Sequence, residues 1–343
     1  MSNIDPDLPL IDLHRHLDGS VRLQTILDLG RQHNLALPAW DLDGLRPYVQ
    51  VSGPQPGIMA FISKFEWMTG VLVNYQSCRR IAYENVQDAY LEGIDYIELR
   101  FSPWFMAEAH ALDPAGVVEA VLEGAEAGHR EFNVSINLIG ILSRTYGPDI
   151  AWKELHALLG QRQRIVGIDL AGDEAHFPGE LFTKHLAKAR DAGLHITVHA
   201  GEAAGPASIW QALHALGAER LGHAVTAPQD PALMDYLAEH AIGIESSLTS
   251  NVQTSTVLDY PSHPLRQFLE RGLLATINTD DPGISAIDLK HEFEIAAPAA
   301  GLTPQQIRQA QANALTVAFL TEPEKAQIIT ARQGSITPKN DRS

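Results

Sequence analysis

Ile196-Thr197-Val198-His199-Ala200-Gly201-Glu202 is a β-branched run that stops at a histidine and then, across a glycine, presents a glutamate. The run predicts a strand over Ile196–His199, so an imidazole and a carboxyl stand side by side at a strand end. The same pattern, an apolar strand ending at a polar side chain, recurs along the chain. It predicts further strands at Leu10–Leu13, Tyr96–Phe101, Ser135–Ile141, Val166–Leu170, Arg220–His223, Gly243–Ser246 and Ala275–Thr279, eight in all.

Between them the apolar period turns helical. Helices are expected over Val21–His33, Ile58–Val73 and Gln76–Glu92, the last stopped by Gly93. Leu35–Pro56 reads as a proline- and glycine-punctuated connection, so the first crossover is far longer than the others. Asp230-Pro231 and Thr303-Pro304 each read as an N-cap followed by the first helical residue. Strands alternating with helices predict an α/β fold with a parallel sheet, either an open doubly wound sheet or a closed (β/α)8 barrel. No glycine-rich phosphate loop follows the first strand, which removes support for the nucleotide-binding open form. The expected domain is one (β/α)8 TIM barrel over residues 1–334, with a long helical insertion between strands 1 and 2. Residues 335–343 are expected as a disordered C-terminal tail.

With 343 residues, 45% of them hydrophobic and 20% charged, the chain can bury one large core. Against 25 basic residues stand 42 acidic ones, a formal charge of −17, which disfavours nucleic acid as a partner. Cys78 is the only cysteine, so any metal must be held by nitrogen and oxygen. Met1–Pro9 has no apolar core of a secretory signal, and no apolar run reaches the roughly 20 residues of a membrane span. A cytoplasmic location is expected, with no membrane and no protein partner inferred.

Polar residues at four strand ends decide between open sheet and barrel. His14 and His16, two apart at the end of the first strand, share one face. His199 ends the fifth strand, His223 the sixth, and Asp280-Asp281 follow the eighth. Only closure brings the ends of strands 1 and 8 to one mouth. Three histidines and a carboxylate suit zinc, which lowers the pKa of a bound water to about 7. His223 and Glu202 then remain as acid/base groups and Asp281 as a substrate acceptor. His33, His129, His156, His185, His214, His240 and His263 lack this strand-end placement and read as surface or core residues.

His14-Arg15-His16-Leu17-Asp18-Gly19, Ile168–Glu174, Thr197–Glu202, Leu248-Thr249-Ser250-Asn251 and Asn278–Pro282 together resemble the motifs of the adenosine deaminases of the metal-dependent hydrolase superfamily, most closely the bacterial members. They occur in family order and span nearly the whole chain. The resemblance implies hydrolysis of adenosine and 2′-deoxyadenosine to inosine or deoxyinosine and ammonia, in purine salvage. It implies one Zn2+ per chain on His14, His16, His199 and Asp280, with His16 also lining the substrate site. Glu202 would protonate purine N1 while His223 and Asp280 orient and deprotonate the attacking water. Asp281 would meet N7, the Gly172 amide N3, and Asp18 the ribose hydroxyl.

Two positions depart from the family pattern. Ala224 stands where glycine is common, which strains the loop if positive φ is needed there, and Glu245-Ser246-Ser247 lacks the usual cysteine. Ile58, Phe61, Ile62 and Phe65 at helical spacing resemble the apolar helix beside the family's pocket mouth, and would serve as a lid or as ordinary core. The rival readings are an adenine or other 6-aminopurine deaminase with the same metal site, and a catalytically silent nucleoside-binding homologue. A binuclear amidohydrolase would want a lysine at the end of strand 4, where Asp169-Leu170-Ala171-Gly172 stands. A cytidine-type deaminase would want Cys-x-x-Cys.

Overall fold

The structure is a computed structural model and describes residues 2–336. Eight strands form one parallel sheet in sequential order: β1 Ile11–His16, β2 Tyr96–Phe101, β3 Ser135–Ser143, β4 Gly167–Ala171, β5 His195–Ala200, β6 Arg220–His223, β7 Gly243–Ser246 and β8 Leu274–Ile277. The sheet curls until β8 lies beside β1. Asp280 pairs with Arg15 in a single parallel bridge, with the His16 amide donating to the Asp280 carbonyl at 2.8 Å and the Asp280 amide to the His14 carbonyl at 2.7 Å. Asn278 Oδ1 accepts from the Leu13 amide at 3.0 Å. Closure, as expected from the polar strand ends, therefore happens at the mouth.

Alternation along the strands sorts their side chains between two environments. Ile97 and Leu99 belong to the apolar layer between sheet and helices, whereas Glu98 and Arg100 are fully buried inside the barrel and reach charged partners on other strands. The bottom is closed by the C-terminal helices Pro304–Val317 and Glu322–Ile336, with Ala314, Ala318 and Ile328 packed on Ile11, Leu13 and Tyr96. Glu98 accepts from the Phe319 amide at 2.7 Å, and Arg220 Nη1 donates to the Val317 carbonyl at 3.0 Å.

Four local expectations change. The connection Leu35–Pro56 contains a helix, Leu42–Val49, capped by the Asp41 carboxylate accepting from the Gly44 amide at 2.8 Å. The helix expected over Ile58–Val73 is broken into turns at Ile58–Ile62, Ser63–Phe65 and Glu66–Thr69. β8 ends at Ile277 rather than Thr279, because Asn278 spends its side chain on the seam. The last helix reaches Ile336, two residues into the expected tail; residues 337–343 lie outside the described residues. Among the described residues no helix is long and apolar enough to cross a membrane.

Candidate active site

β1 and β5 deliver three imidazoles to one point. His16 Nε2 lies 3.3 Å from His14 Nε2 and 3.3 Å from His199 Nε2. Asp280 Oδ1, from the seam, lies 3.1 Å from His14 Nε2 and 3.2 Å from His16 Nε2. Donor atoms held about 2.0–2.1 Å from a zinc ion in tetrahedral array are roughly 3.3–3.4 Å apart, which is close to these four distances.

What stands behind each ring decides where its lone pair points. Glu245 Oε2 lies 2.7 Å from His14 Nδ1, and Asp169 Oδ2 lies 2.9 Å from His199 Nδ1. A carboxylate accepts, so each Nδ1 carries the proton and each Nε2 presents its lone pair inward, as in carboxylate–histidine–metal triads. Arg100, fully buried, ties the two carboxylates together, with Nη1 2.8 Å from Asp169 and Nη2 2.7 Å from Glu245. Arg220 Nε and Thr197 Oγ1 complete Glu245 at 2.7 and 2.9 Å. Burial works against charge on both carboxylates. His199 and Arg100 nevertheless hold Asp169 below the ordinary range, as Arg100 and Arg220 hold Glu245.

His199 itself is pushed down by burial to about 3, the neutral state a ligand needs. Burial opposes charge on His16 also, yet the carboxylates of Asp281, Asp280 and Asp18 push it up to about 9. Its surroundings demand a positive charge at that point, which a proton or a cation supplies equally. His14, His199, His223 and Asp280 each offer an atom within 4.8 Å of the others, which makes His223 a rival ligand to His16. His223 Nε2, however, faces Glu202 Oε2 at 3.6 Å and Asp280 Oδ2 at 3.9 Å. His16 Nε2, by contrast, lies 3.2–3.3 Å from Nε2 of His14, Nε2 of His199 and Oδ1 of Asp280.

Glu202 follows β5 across Gly201, whose φ of +72° is the left-handed turn that sends the chain away from the strand axis. The loop is held by one carboxylate. Glu174 accepts from the amides of Gly201, Glu202, Ala203 and Ala204 at 2.6, 3.1, 2.8 and 3.0 Å, and from Ser208 Oγ. Burial, with Asp280 and Glu174 adding to it, pushes the Glu202 carboxyl up to about 7 against the pull of His223.

A cavity of about 150 Å³ opens in front of these groups, lined by His16, Asp18, Gly172, Glu202, His223 and both Asp280 and Asp281. Ile58, Phe61, Ile62 and Phe65 form part of its apolar wall, so the broken helical stretch faces the cavity, with Phe61 and Phe65 buried. Two buried carboxylate oxygens in this cavity, Asp18 Oδ1 and Asp281 Oδ1, have no hydrogen-bond partner, although His16 Nδ1 stands 3.9 Å from the first. Asp281 packs directly on Gly19, where a Cβ would lie 1.8 Å from Oδ1. All the residues singled out from sequence thus meet at one mouth.

Backbone strain concentrates here. His223, Ala224 and Asp280 have φ of +65°, +51° and +63°, a region costing about 1–2 kcal/mol for residues with a Cβ. The position of Ala224 does require positive φ, and alanine adopts it. Sequence reading placed Asp169, Ser250 and Asn251 in motifs but assigned them no role, and gave Glu245, Arg100 and His263 no part in the site. Ser250 Oγ donates to Asp280 Oδ2 at 2.6 Å, and Asn251 bonds His223. A charged residue inside each apolar strand run was the available signal for Asp169, Glu245 and Arg100.

The adenosine deaminase family model matches residues 9–332. The adenosine deaminase of Klebsiella pneumoniae is 61% identical over 326 residues, covering 95% of this chain and 98% of that one. That of Yersinia pseudotuberculosis is 60% identical over 322 residues, covering 94% and 96%. In three dimensions the chain is similar to the adenine deaminase of Arthrobacter aurescens, with a TM-score of 0.88 at 24% identity, covering 96% and 99%. That last likeness shows the barrel fold.

Proposed function

The chain belongs to the adenosine deaminase family, and on that premise we propose that it hydrolyses adenosine and 2′-deoxyadenosine to inosine or deoxyinosine and ammonia, with zinc on His14, His16, His199 and Asp280. The observation that carries this is the convergence of three inward Nε2 atoms and a carboxylate beside a protonatable glutamate. An all nitrogen and oxygen donor set suits zinc, which when bound supplies a water acidified to a pKa of about 7.

The remaining chemistry belongs to the chain. Glu202, pushed up to about 7, is divided between its protonated and ionised forms at neutral pH, and the protonated form donates to purine N1, drawing electron density from C6 so that water adds there. His223 and Asp280 flank the attacking water. Asp281 meets N7, the Gly172 amide N3, and the unpartnered Asp18 Oδ1 accepts from the ribose hydroxyl. The wall of Ile58, Phe61, Ile62 and Phe65 covers the nucleoside and excludes bulk water. Collapse of the tetrahedral centre expels ammonia, so adenosine and water balance inosine and ammonia. A cytoplasmic enzyme of purine salvage is the setting this implies.

The test follows adenosine by ultraviolet absorbance before chelation, after it, and with zinc or another divalent metal restored. Adenosine turnover lost on chelation and regained with zinc is expected, with adenine turned over far more slowly. Failure of restored zinc to recover activity, or a preference for adenine, overturns the reading.

A further inference from the structure

We propose that Asn251 and His263 form a relay that fixes the tautomer of His223, making His223 a hydrogen-bond donor to the attacking water rather than its base. The proposal rests on the reaction assigned above. It starts from a group whose role is not a matter of assignment, a backbone amide. The Leu265 N–H can only donate, and it meets His263 Nδ1 at 3.1 Å, so that nitrogen accepts. His263 is buried and burial lowers its pKa to about 3, so the ring is neutral and its proton sits on Nε2.

The remaining roles follow in turn. His263 Nε2–H donates to the Asn251 amide at 3.1 Å, so the facing atom is Oδ1. The Asn251 Nδ2 group is thereby turned toward His223 Nδ1 at 3.0 Å and Thr256 Oγ1 at 3.2 Å. Thr256 Oγ1 gives its own proton to the Asn251 carbonyl at 3.2 Å, so it accepts the second Nδ2 proton. Both protons of Nδ2 are used, and His223 Nδ1 must present a lone pair. His223 is 1% exposed, which leaves no room for water to substitute for the amide.

A neutral His223 therefore carries its proton on Nε2, the atom facing Glu202 Oε2 and Asp280 Oδ2. It has no lone pair there with which to take a proton from water or to bind a metal. The proton that leaves the attacking water goes to a carboxylate oxygen, and His223 keeps its own. The contrast with His14 and His199 is chemical. Carboxylates behind those rings turn lone pairs inward, whereas an amide N–H behind His223 turns a proton inward. The site holds both tautomers because the partners behind the rings differ. Asn251 and His263 touch neither substrate nor metal ligand and are positioning residues.

The test is the nitrogen spectrum of imidazoles in zinc-loaded protein labelled with ¹⁵N-histidine, the His223 signals being identified by their loss in His223→Gln. The wild type should show Nδ1 of His223 unprotonated and Nε2 protonated. Asn251→Asp puts a carboxylate behind the ring, should move the proton to Nδ1, and should leave one zinc per chain. Its kcat should fall about 100-fold or more, since a reversed tautomer at a hydrogen-bonded catalytic histidine costs up to ~10⁴, while KM for adenosine changes only a few-fold. His263→Ala, which frees Asn251 to rotate, should give an intermediate loss. A wild-type His223 protonated on Nδ1 overturns the relay whatever the variants do, as does Asn251→Asp with unchanged kcat. A wild type bonded as described but inactive on adenosine upholds the relay and sinks the assigned substrate.

Discussion

Arg100→Met removes the guanidinium that ties the two carboxylates behind the metal-site histidines. Within the barrel, Glu98, Asp169 and Glu245 share two cations, Arg100 and Arg220, and all five side chains are at most 1% exposed. The variant leaves three carboxylates facing one guanidinium. Removing one partner of a buried pair costs about 3–5 kcal/mol, and methionine recovers only the packing of the stem. At roughly 2 °C per kcal/mol for a large domain, the melting temperature should drop by at least about 5 °C. Metal binding should weaken as well. Partners behind metal ligands are each worth about 10–100-fold in affinity, and Arg100 anchors two of them at once, Asp169 behind His199 and Glu245 behind His14. Melting curves with and without chelator, and competition with a chromophoric chelator, read the two effects separately. Arg100→Lys should rescue part of the stability but little of the affinity, because an ammonium cannot reproduce the fork. Arg220→Met, which touches Glu98 and Glu245 but not Asp169, should cost stability while sparing affinity relative to Arg100→Met. A melting temperature within about 1 °C of wild type with unchanged metal affinity would refute the shared counter-ion argument.

Other substitutions separate further parts of the design. His199→Ala should lose metal, whereas Glu202→Gln should retain one metal per chain by elemental analysis and lose turnover by about 100-fold or more. Gly19→Ala forces its Cβ into the Asp281 carboxylate, which is buried and cannot swing to solvent; kcat/KM should fall with metal content intact, and an unchanged value would show that Asp281 has no part in binding. Glu292, which accepts from the Leu248 and Thr249 amides at 3.1 and 3.2 Å, is pushed up by burial to about 8. Its folded pKa stands above the unfolded value of about 4.3, so its contribution is full below about pH 4 and is lost as pH rises through 8. The melting temperature should fall between pH 6 and 9, and Glu292→Gln, which mimics the protonated form, should flatten that fall; an identical slope in the variant would refute the assignment.

Periodicity and placement together explain what was legible. β2, β6 and β7 match the expected strands residue for residue, each a short segment bounded by turn or polar residues. His14, His16, His199 and Asp280 were legible because strand ends are the one place where a barrel must gather side chains. Leu42–Val49 was hidden by its prolines and glycines, although Asp41 is an ordinary N-cap. The interior charges were hidden for a deeper reason. In Tyr96–Phe101 the alternation of Ile97 and Leu99 with Glu98 and Arg100 reads as an apolar inner face and a solvated outer one. The structure reverses this. The apolar residues face the helices and the charged ones face the barrel axis, which is tolerable only because Asp169, Arg220 and Glu245 arrive from three other strands to pair with them. Pairing of that kind depends on closure, and no local window contains it.

Closure and site turn out to be one problem. A barrel of eight sequential strands has one seam, where the last strand meets the first, and here the backbone contacts across it are made by Asp280 with His14 and His16. The side chains of the same three residues converge beside the seam, and His199 on β5 joins them from across the mouth. The bridge needs Asp280 at a φ of +63°, a conformation that an aspartate holds only when its surroundings over-determine it. Those surroundings are the two backbone bonds to β1, the Ser250 hydroxyl on Oδ2 and the imidazoles at Oδ1. A cation shared by β1, β5 and the seam would therefore clamp the barrel at its only break, so ligand geometry and fold stability are coupled through one strained residue. This accounts for a short β8, after which Asn278 still donates to the Ser246 carbonyl and Asp280 makes the two backbone bonds to β1. Extending the ladder to Thr279 would give regular pairing to the seam and take Asp280 away from the histidines.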